Sequence, residues 1–184
     1  MKLNASECTL YSGGATGAET EFGAAAEKFG VAEVNFTFEG HQIQRTRGMR
    51  VLTQEELRRG DVSMTYVSRL LNRTYSNAPI MRKVLQTIWY QVNQGMEIYV
   101  IGSIQDDGTV KGGTGWGAEF AKICNKPLCV FDQAKNGWFR WEQAAWTVLE
   151  APVIGHRHFT GTGTRFLEAS GKEAIERLFE RSFG

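Results

Sequence analysis

The segment Cys8-Thr9-Leu10-Tyr11-Ser12-Gly13-Gly14-Ala15-Thr16-Gly17 decides how this sequence is expected to fold. Its first four residues predict a short β-strand, and the small residues after Tyr11 predict a tight turn. The alanine-rich run over 20–29 favours a helix, which Gly30 is expected to end. A strand, a glycine-rich turn and a helix in this order are typical of an α/β domain with a parallel sheet.

A second unit of the same kind lies in the middle of the chain. Residues 97–101 predict a strand, 106–108 a hairpin-like insertion, and Gly112-Gly113-Thr114-Gly115-Trp116-Gly117 a turn that opens a helix over 119–124. The apolar run 128–131 then predicts a buried central strand. This alternation predicts a Rossmann-like three-layer sandwich of α/β class with a mostly parallel central sheet.

Capping signals predict the remaining helices. Thr53 and Glu56 match a helix capping box, and Pro79 fits the first turn of a helix that is expected to end at Gly95. The pair Ser170-Glu173 matches a second capping box ahead of the last helix.

The segments between these helices are less regular. Residues 34–38 alternate as a strand does, whereas 39–52 predicts a loop that carries three arginines. Trp138, Trp141 and Trp146 are expected to serve core or subunit-interface packing, because few basic residues accompany the rings.

The composition is that of an ordinary globular protein. The chain has 184 residues, enough for one domain over 1–184, with a net charge of +1 and 42% hydrophobic residues. Its three cysteines show no CxxC spacing, which argues against a metal site or a disulfide framework and suits a reducing compartment. No apolar run approaches the roughly 20 residues that cross a bilayer. We therefore expect a cytoplasmic protein without a metal, a membrane segment or a nucleic-acid partner.

The two glycine-rich turns carry the candidate binding residues. In a parallel sheet, ligands bind beyond the carboxyl ends of the strands, where helix N-termini offer unpaired amide groups to phosphate. Two such turns side by side would bind a nucleotide or a related phosphorylated ligand, although small residues in a tight turn also serve packing. The candidates are Ser12, Gly13, Gly14, Thr16 and Gly17 in the first turn and Gly112, Gly113, Thr114, Gly115 and Trp116 in the second.

Positive charge gathers in one part of the chain. Between Arg45 and Lys83, nine basic residues stand against three acidic ones, a local excess of six charges. This asymmetry indicates an anionic partner, with Arg45 as a candidate phosphate ligand, or else a solvated basic helix face. Arg165, in the glycine-rich segment over 161–165, either closes over the ligand or belongs to a loop that leads into the last helix.

Two residues beside the turns have two interpretations each. Glu19 follows the first turn, where a carboxylate either contacts a ribose hydroxyl or a metal, or complements the helix dipole. Trp116 lies inside the second turn, where an indole either stacks on a base or packs against a neighbouring helix.

The motifs SGGATG (12–17) and GGTGWGAE (112–119) resemble the SLOG superfamily, which joins the DprA/Smf proteins and the LOG (lysine decarboxylase-like) proteins. LOG proteins carry a Pro-Gly-Gly-x-Gly-Thr-x-x-Glu signature, and Gly112, Gly113, Gly115 and Glu119 stand at its spacing. The sequence departs from the signature at Lys111, where the family has proline, and at Trp116, where it has threonine. The distal FTGTGTR (159–165) is also similar to phage and molybdenum-cofactor-carrier-like members.

The resemblance implies a nucleotide-binding protein that hydrolyses the N-glycosidic bond of a nucleoside monophosphate. Glu119 would be the catalytic carboxylate and Arg82, in Met81-Arg82-Lys83, the arginine that assists it. A carboxylate beside C1′ stabilises the positive charge that develops on the sugar, and an arginine clamps the phosphate. The alternative is a non-catalytic nucleotide or cofactor binding or sensing module of the molybdenum-cofactor-carrier-like or phage type. Relatives commonly pair, so a homodimer or higher homo-oligomer is expected.

Overall fold

Eight strands and six α-helices make up the part of the chain that the computed structural model describes, residues 3–184. The strands are β1 (Thr9–Ser12), β2 (Ala32–Phe38), β3 (Met49–Leu52), β4 (Glu97–Gly102), β5 (Leu128–Asp132), β6 (Gly137–Glu142), β7 (Ala145–Leu149) and β8 (His158–Gly163). The helices are α1 (Ala18–Phe29), α2 (Gln54–Arg58), α3 (Asp61–Leu71), α4 (Pro79–Gln94), α5 (Thr114–Ile123) and α6 (Ala169–Phe183).

All these strands belong to one sheet, in the order β3-β2-β1-β8-β4-β5-β6-β7. The first six in this order pair in parallel, and only the β5-β6 and β6-β7 pairs are antiparallel. The predicted α/β class with a mostly parallel central sheet is therefore confirmed. Helices cover the sheet as in a Rossmann-like three-layer sandwich.

Side chains of the central strands alternate between two hydrophobic cores. On β4, Tyr99 and Ile101 pack with α1 and α6, whereas Ile98 and Val100 pack with α3, α4 and α5. This period of two explains why the strand reads as a continuous apolar run, because both of its faces are covered.

The chain leaves the middle of the sheet in two directions. From β1 it crosses through α1 to β2, towards one edge, and from β4 it crosses through α5 to β5, towards the other. Crossovers that run in opposite directions put α1 and α5 on opposite faces, and ligands bind in the crevice at such a reversal point. The carboxyl end of β8 reaches the same crevice, because β8 lies between β1 and β4.

The strand β8 corrects the sequence-based view of the third glycine-rich segment. Residues 158–163 form a central strand, and only the residues after Gly163 form a loop. The glycines allow close packing: a Cβ on Gly161 would lie 2.5 Å from Cγ of Phe22, a core residue of α1. A strand built from small residues lacks the apolar run that marks central strands, so its sequence predicts a turn.

Two further predictions are wrong and two are confirmed, and the tryptophan-rich segment, for which no element was predicted, forms a hairpin. The predicted loop over 39–52 contains the edge strand β3, and the tryptophan-rich segment forms the β6-β7 hairpin. The Ser170-Glu173 capping box is wrong, because Ser170 lies inside α6, which begins after Glu168. The Thr53-Glu56 capping box is confirmed, and α4 begins at Pro79 and ends before Gly95 as predicted. Within residues 3–184, no helix has the length and apolar character that crossing a bilayer requires.

Candidate ligand-binding site

A cavity of about 660 Å³ lies at the crevice between the two halves of the sheet. Its volume is in the usual range of small-molecule sites, about 300–1,000 Å³. It brings together both glycine-rich turns, the end of β8 and one face of α4. The lining residues are Gly13, Ala15, Glu19, His41, Met81, Val84, Leu85, Thr87, Ile88, Gln91, Gly102, Ser103, Lys111, Gly112, Gly113, Thr114, Gly117, Gln133, Thr162, Gly163, Thr164, Arg165, Phe166 and Glu168.

The first glycine turn holds a carboxylate of its own chain. Glu19, on the first turn of α1, is buried, and its Oε2 accepts a hydrogen bond from the backbone amide of Ala15 at 3.0 Å. The Gly13 amide also donates to this carboxylate, and Oε1 accepts from the Thr162 hydroxyl at 2.8 Å. Burial raises the pKa of Glu19 even though these hydrogen bonds favour the ionised form. The amides of Gly13 and Ala15 are therefore used by Glu19 and are not free for a phosphate.

Gly13 is glycine because the site leaves no room for a side chain. A Cβ on Gly13 would lie 2.5 Å from Nε2 of Gln91 and 2.8 Å from Oε2 of Glu19. Two polar side chains therefore close over the bare backbone of the first turn, and both of them line the cavity.

The second glycine turn is open to the cavity. Helix α5 begins after Gly113 without a side-chain cap, and no hydrogen bond within residues 3–184 uses the amides of Gly112, Gly113 or Thr114. A Cβ on Gly112 or Gly113 would meet no atom within 4 Å. This helix N-terminus therefore presents free donors and a positive dipole end to the cavity.

Arg73 fixes the backbone of this second turn. Its guanidinium donates to the carbonyl oxygens of Gly112 at 2.8 Å and Val110 at 3.0 Å. Because the carbonyl groups of the turn are drawn towards Arg73, the amides of the turn stay available on the cavity side.

Two cations and one carboxylate stand at the rim of the cavity. Lys111 and Arg165 are exposed, and Glu168 lies on the loop after β8. Gln133 orders that loop, since its amide donates to the Phe166 carbonyl at 3.1 Å and accepts from the Glu168 amide at 2.8 Å.

The sequence-predicted site residues divide into two groups. Five of them line the cavity: Gly13, Gly112, Gly113, Thr114 and Arg165. The others in the first turn lie outside its lining: the Ser12 hydroxyl donates to the Gly161 carbonyl at 2.6 Å, and Gly14 accepts from the amides of Gln44 and Arg45. Gly17 precedes α1 and contacts the loop after β8, and Thr16 is exposed.

The charged and aromatic candidates are engaged elsewhere. Glu119 pairs with Lys122 at 3.2 Å and is not part of the cavity wall, because Thr114 and Gly117 form the cavity-facing side of α5. Arg82 pairs with Asp61 at 3.0 Å and lies 4.1 Å from the Tyr75 ring centre, and Arg45 binds Glu33 and Glu27.

Trp116 is buried in the core beside Tyr75, and Gly115 packs against the Val110 carbonyl. The packing interpretation of Trp116 therefore holds.

The structure adds polar residues that sequence reasoning did not assign to the site, and three of them carry side-chain amide or hydroxyl groups at the ends of α4, β4 and β5. They are Gln91 on α4, Ser103 after β4 and Gln133 after β5. The detectable signal was on α4, where Thr87 and Gln91 are polar residues four apart on an otherwise apolar helix face. His41 also lines the cavity, and burial lowers its pKa, so the ring is neutral at pH 7.

Comparison with protein-family models, curated proteins and solved structures found no match to this chain. The candidate site is therefore inferred from the geometry of this chain alone. Within residues 3–184, no group of three or more His, Cys, Asp or Glu side chains is arranged to hold a metal ion.

Proposed function

We propose that this chain binds a small phosphorylated ligand of the nucleotide or phosphoribosyl class in the cavity at the sheet reversal. One observation carries the proposal: the uncapped N-terminus of α5, with the free amides of Gly112, Gly113 and Thr114, opens into a cavity of ligand size. Lys111 and Arg165 add positive charge at the rim of the same cavity. Free amides, a helix dipole and two cations form a site for a phosphate group.

The two turns differ in what they can accept. The Glu19 carboxyl group occupies the first turn and engages its Ala15 amide, so a ligand phosphate finds its free donors at α5. The remaining volume, lined by apolar residues of α4 such as Val84 and Ile88, suits the sugar and base. The spacing of Gly112, Gly113 and Gly115, which resembles the SLOG superfamily, supports the same ligand class.

Calorimetric titration with AMP, GMP, CMP and UMP, each beside its unphosphorylated nucleoside, tests this proposal. We expect at least one monophosphate to bind at least about tenfold more tightly than its nucleoside, because the phosphate makes charge-assisted hydrogen bonds. Lys111→Gln should weaken that binding, whereas Lys28→Gln, which removes an exposed charge far along α1, should not. Equal affinity for monophosphate and nucleoside would contradict the proposal.

A second candidate function is hydrolysis of the N-glycosidic bond of the bound nucleotide. The observation that favours it is Glu19, a buried carboxylate with a raised pKa that faces the cavity. In this reaction the C1′–N bond breaks, the oxygen of a water bonds to C1′, and a water proton passes to the base. The products are ribose 5-phosphate and the free base. A carboxylate beside C1′ would activate the water and stabilise the positive charge on the sugar.

Base release from the same monophosphates, followed by chromatography, compares two carboxylates. Under this second candidate, Glu19→Gln is expected to reduce turnover about a hundredfold or more, since general acid-base catalysis contributes about 10²–10⁴-fold. Glu119→Gln should leave turnover unchanged, because Glu119 pairs with Lys122 outside the cavity. Loss of turnover in Glu119→Gln, with normal turnover in Glu19→Gln, would instead make Glu119 the catalytic carboxylate, as the resemblance implies. If the unaltered protein binds a monophosphate tightly but releases no base, hydrolysis is excluded and only the binding function remains.

A further inference from the structure

Two large apolar side chains are exposed at the mouth of the candidate cavity. Met81, at the start of α4, is 52% exposed, and Phe166, on the loop after β8, is 70% exposed. A single exposed apolar residue is ordinary, but two that come from separate elements and line one cavity are typical of a ligand-binding groove. Contact with an apolar part of a ligand would remove both side chains from water, which is favourable.

On the α4 side, the apolar surface continues from the mouth into the cavity. Met81, Val84, Leu85 and Ile88 stand at positions i, i+3, i+4 and i+7 of the helix, and all of them line the cavity. This spacing places the four side chains on one face of α4. The cavity therefore has an apolar wall along α4, and Met81 forms its outer end.

Phe166 lies across the cavity from this wall. Helix α4 covers the sheet face of Ile98 and Val100, whereas the loop after β8 leads to α6, which covers the other face. The loop is ordered, because the Phe166 carbonyl accepts from the Gln133 side-chain amide at 3.1 Å and the Phe166 amide donates to the Thr164 hydroxyl at 3.1 Å. An aromatic ring on an ordered loop loses little conformational freedom when a ligand binds.

One face of the Phe166 ring is already in contact with a cation. The guanidinium carbon of Arg165 lies over the ring, 4.7 Å from its centre, in a cation–π contact. The residue is 70% exposed in spite of this contact, so the other face of the ring is open. An open aromatic face is a stacking surface for a planar group such as a nucleic-acid base.

We infer that the ligand is an intact nucleotide whose base lies between the Phe166 ring and the apolar wall of α4, so that the site discriminates against sugar phosphates without a base. The inference rests on the proposed binding of a phosphorylated ligand and narrows its class from nucleotide or phosphoribosyl compounds to nucleotides. A base has two flat faces, of which one stacks on Phe166 and the other packs against Met81 and Val84. The Met81 thioether suits this contact, because sulfur packs favourably against aromatic rings.

Calorimetric titration with the best nucleoside 5′-monophosphate and with ribose 5-phosphate tests the inference. We expect the unaltered protein to bind the monophosphate at least about fivefold more tightly, since stacking of one base on an aromatic ring has this magnitude. Phe166→Ala should weaken binding of the monophosphate at least about fivefold and leave binding of ribose 5-phosphate unchanged. Phe166→Trp, which keeps a stacking surface, should retain tight binding of the monophosphate.

Tyr66→Ala is the matched control for the loss of the ring. Tyr66 is an aromatic residue of similar exposure, 56%, but it lies on α3 outside the cavity lining, so its removal should change the affinity for neither ligand. Met81→Gln, which keeps the length of the side chain and makes its end polar, tests the α4 wall. It should weaken binding of the monophosphate and leave ribose 5-phosphate unaffected.

The possible failures separate the inference from the proposed function. Equal affinity of the unaltered protein for the monophosphate and ribose 5-phosphate would overturn the inference and leave the phosphate site in place. Equal weakening of both ligands by Phe166→Ala would also overturn it, because the ring would then act on the loop and not on the base. If the monophosphate binds no more tightly than its nucleoside, the proposed function fails instead, and if none of these compounds binds, both fail.

Discussion

Gly113→Asp is expected to weaken phosphate-dependent binding about tenfold to a hundredfold while leaving the fold intact. A carboxylate at this position stands at the N-terminus of α5, where it repels the ligand phosphate and occupies the free amides. A Cβ there meets no atom within 4 Å, and the backbone angles of Gly113, φ −59° and ψ −33°, suit any residue. The affinity of the variant for the best monophosphate, measured by calorimetry, checks the expectation.

Gly113→Asn separates charge from shape in this experiment. Asparagine has nearly the same size and is also a favoured residue at helix N-termini, but it is neutral. We expect it to bind the monophosphate more tightly than the aspartate variant does. Thermal midpoints at or above that of the unaltered protein should accompany both changes. Unchanged affinity in the aspartate variant would mean that the phosphate does not lie at α5.

Gly17→Ala is expected to destabilise the protein by about 3 kcal/mol or more, because strain and a clash act together. Gly17 has φ +95° and ψ −127°, a conformation that residues with a side chain avoid. An alanine Cβ would also lie 2.5 Å from the Thr164 carbonyl oxygen and 2.6 Å from Cα of Arg165. The change pushes the first turn away from the loop after β8, so ligand binding should also be lost.

Gly30→Ala is the matched control for this prediction. Gly30 has φ +75° at the end of the same helix, but a Cβ there meets nothing within 4 Å. This variant therefore carries the conformational cost alone, about 1 kcal/mol. Chemical denaturation of both variants measures the difference. Equal destabilisation would show that the contact between Gly17 and the Thr164 carbonyl does not matter for the fold.

Local patterns predict much of this fold. The strand, glycine turn and helix at Cys8–Phe29 and its counterpart before α5 are visible because each signal lies within about 20 residues. Such units imply a parallel sheet, and the parallel sheet implies a binding crevice at its carboxyl edge. The cavity that joins both turns agrees with that expectation.

What the sequence did not predict depends on contacts between distant residues. The strand β8 joins the middle of the sheet from residues 158–163, and its Thr162 meets Glu19 across 143 positions. No local pattern connects them, so the sequence left the role of Glu19 open. In the same way, the ion pairs of Arg45 with Glu33 and of Arg82 with Asp61 form between separate elements. From the sequence alone, both arginines are candidates for binding an anionic ligand, but in the fold their charges are paired with these carboxylates.

Motif spacing nominated Glu119, and helix geometry explains why the structure places it elsewhere. Successive residues of a helix turn by about 100°, so residues on one face recur at intervals of three or four. Thr114 and Gly117 form the cavity-facing side of α5, and Glu119, two positions further, pairs with Lys122 towards the β6-β7 hairpin. A matching spacing along the chain therefore does not ensure that a side chain reaches the cavity.

Nuclear magnetic resonance mapping of a bound nucleotide tests the central proposal most directly. On titration with the best monophosphate, we expect the largest shifts at the backbone amides of Gly112, Gly113 and Thr114, and the unphosphorylated nucleoside should leave these amides nearly unchanged. The contradictory result is a set of shifts confined to a separate groove, which Arg177 and Arg181 of α6 line beside the β6-β7 hairpin. That result would mean that the phosphate does not bind at the glycine turns.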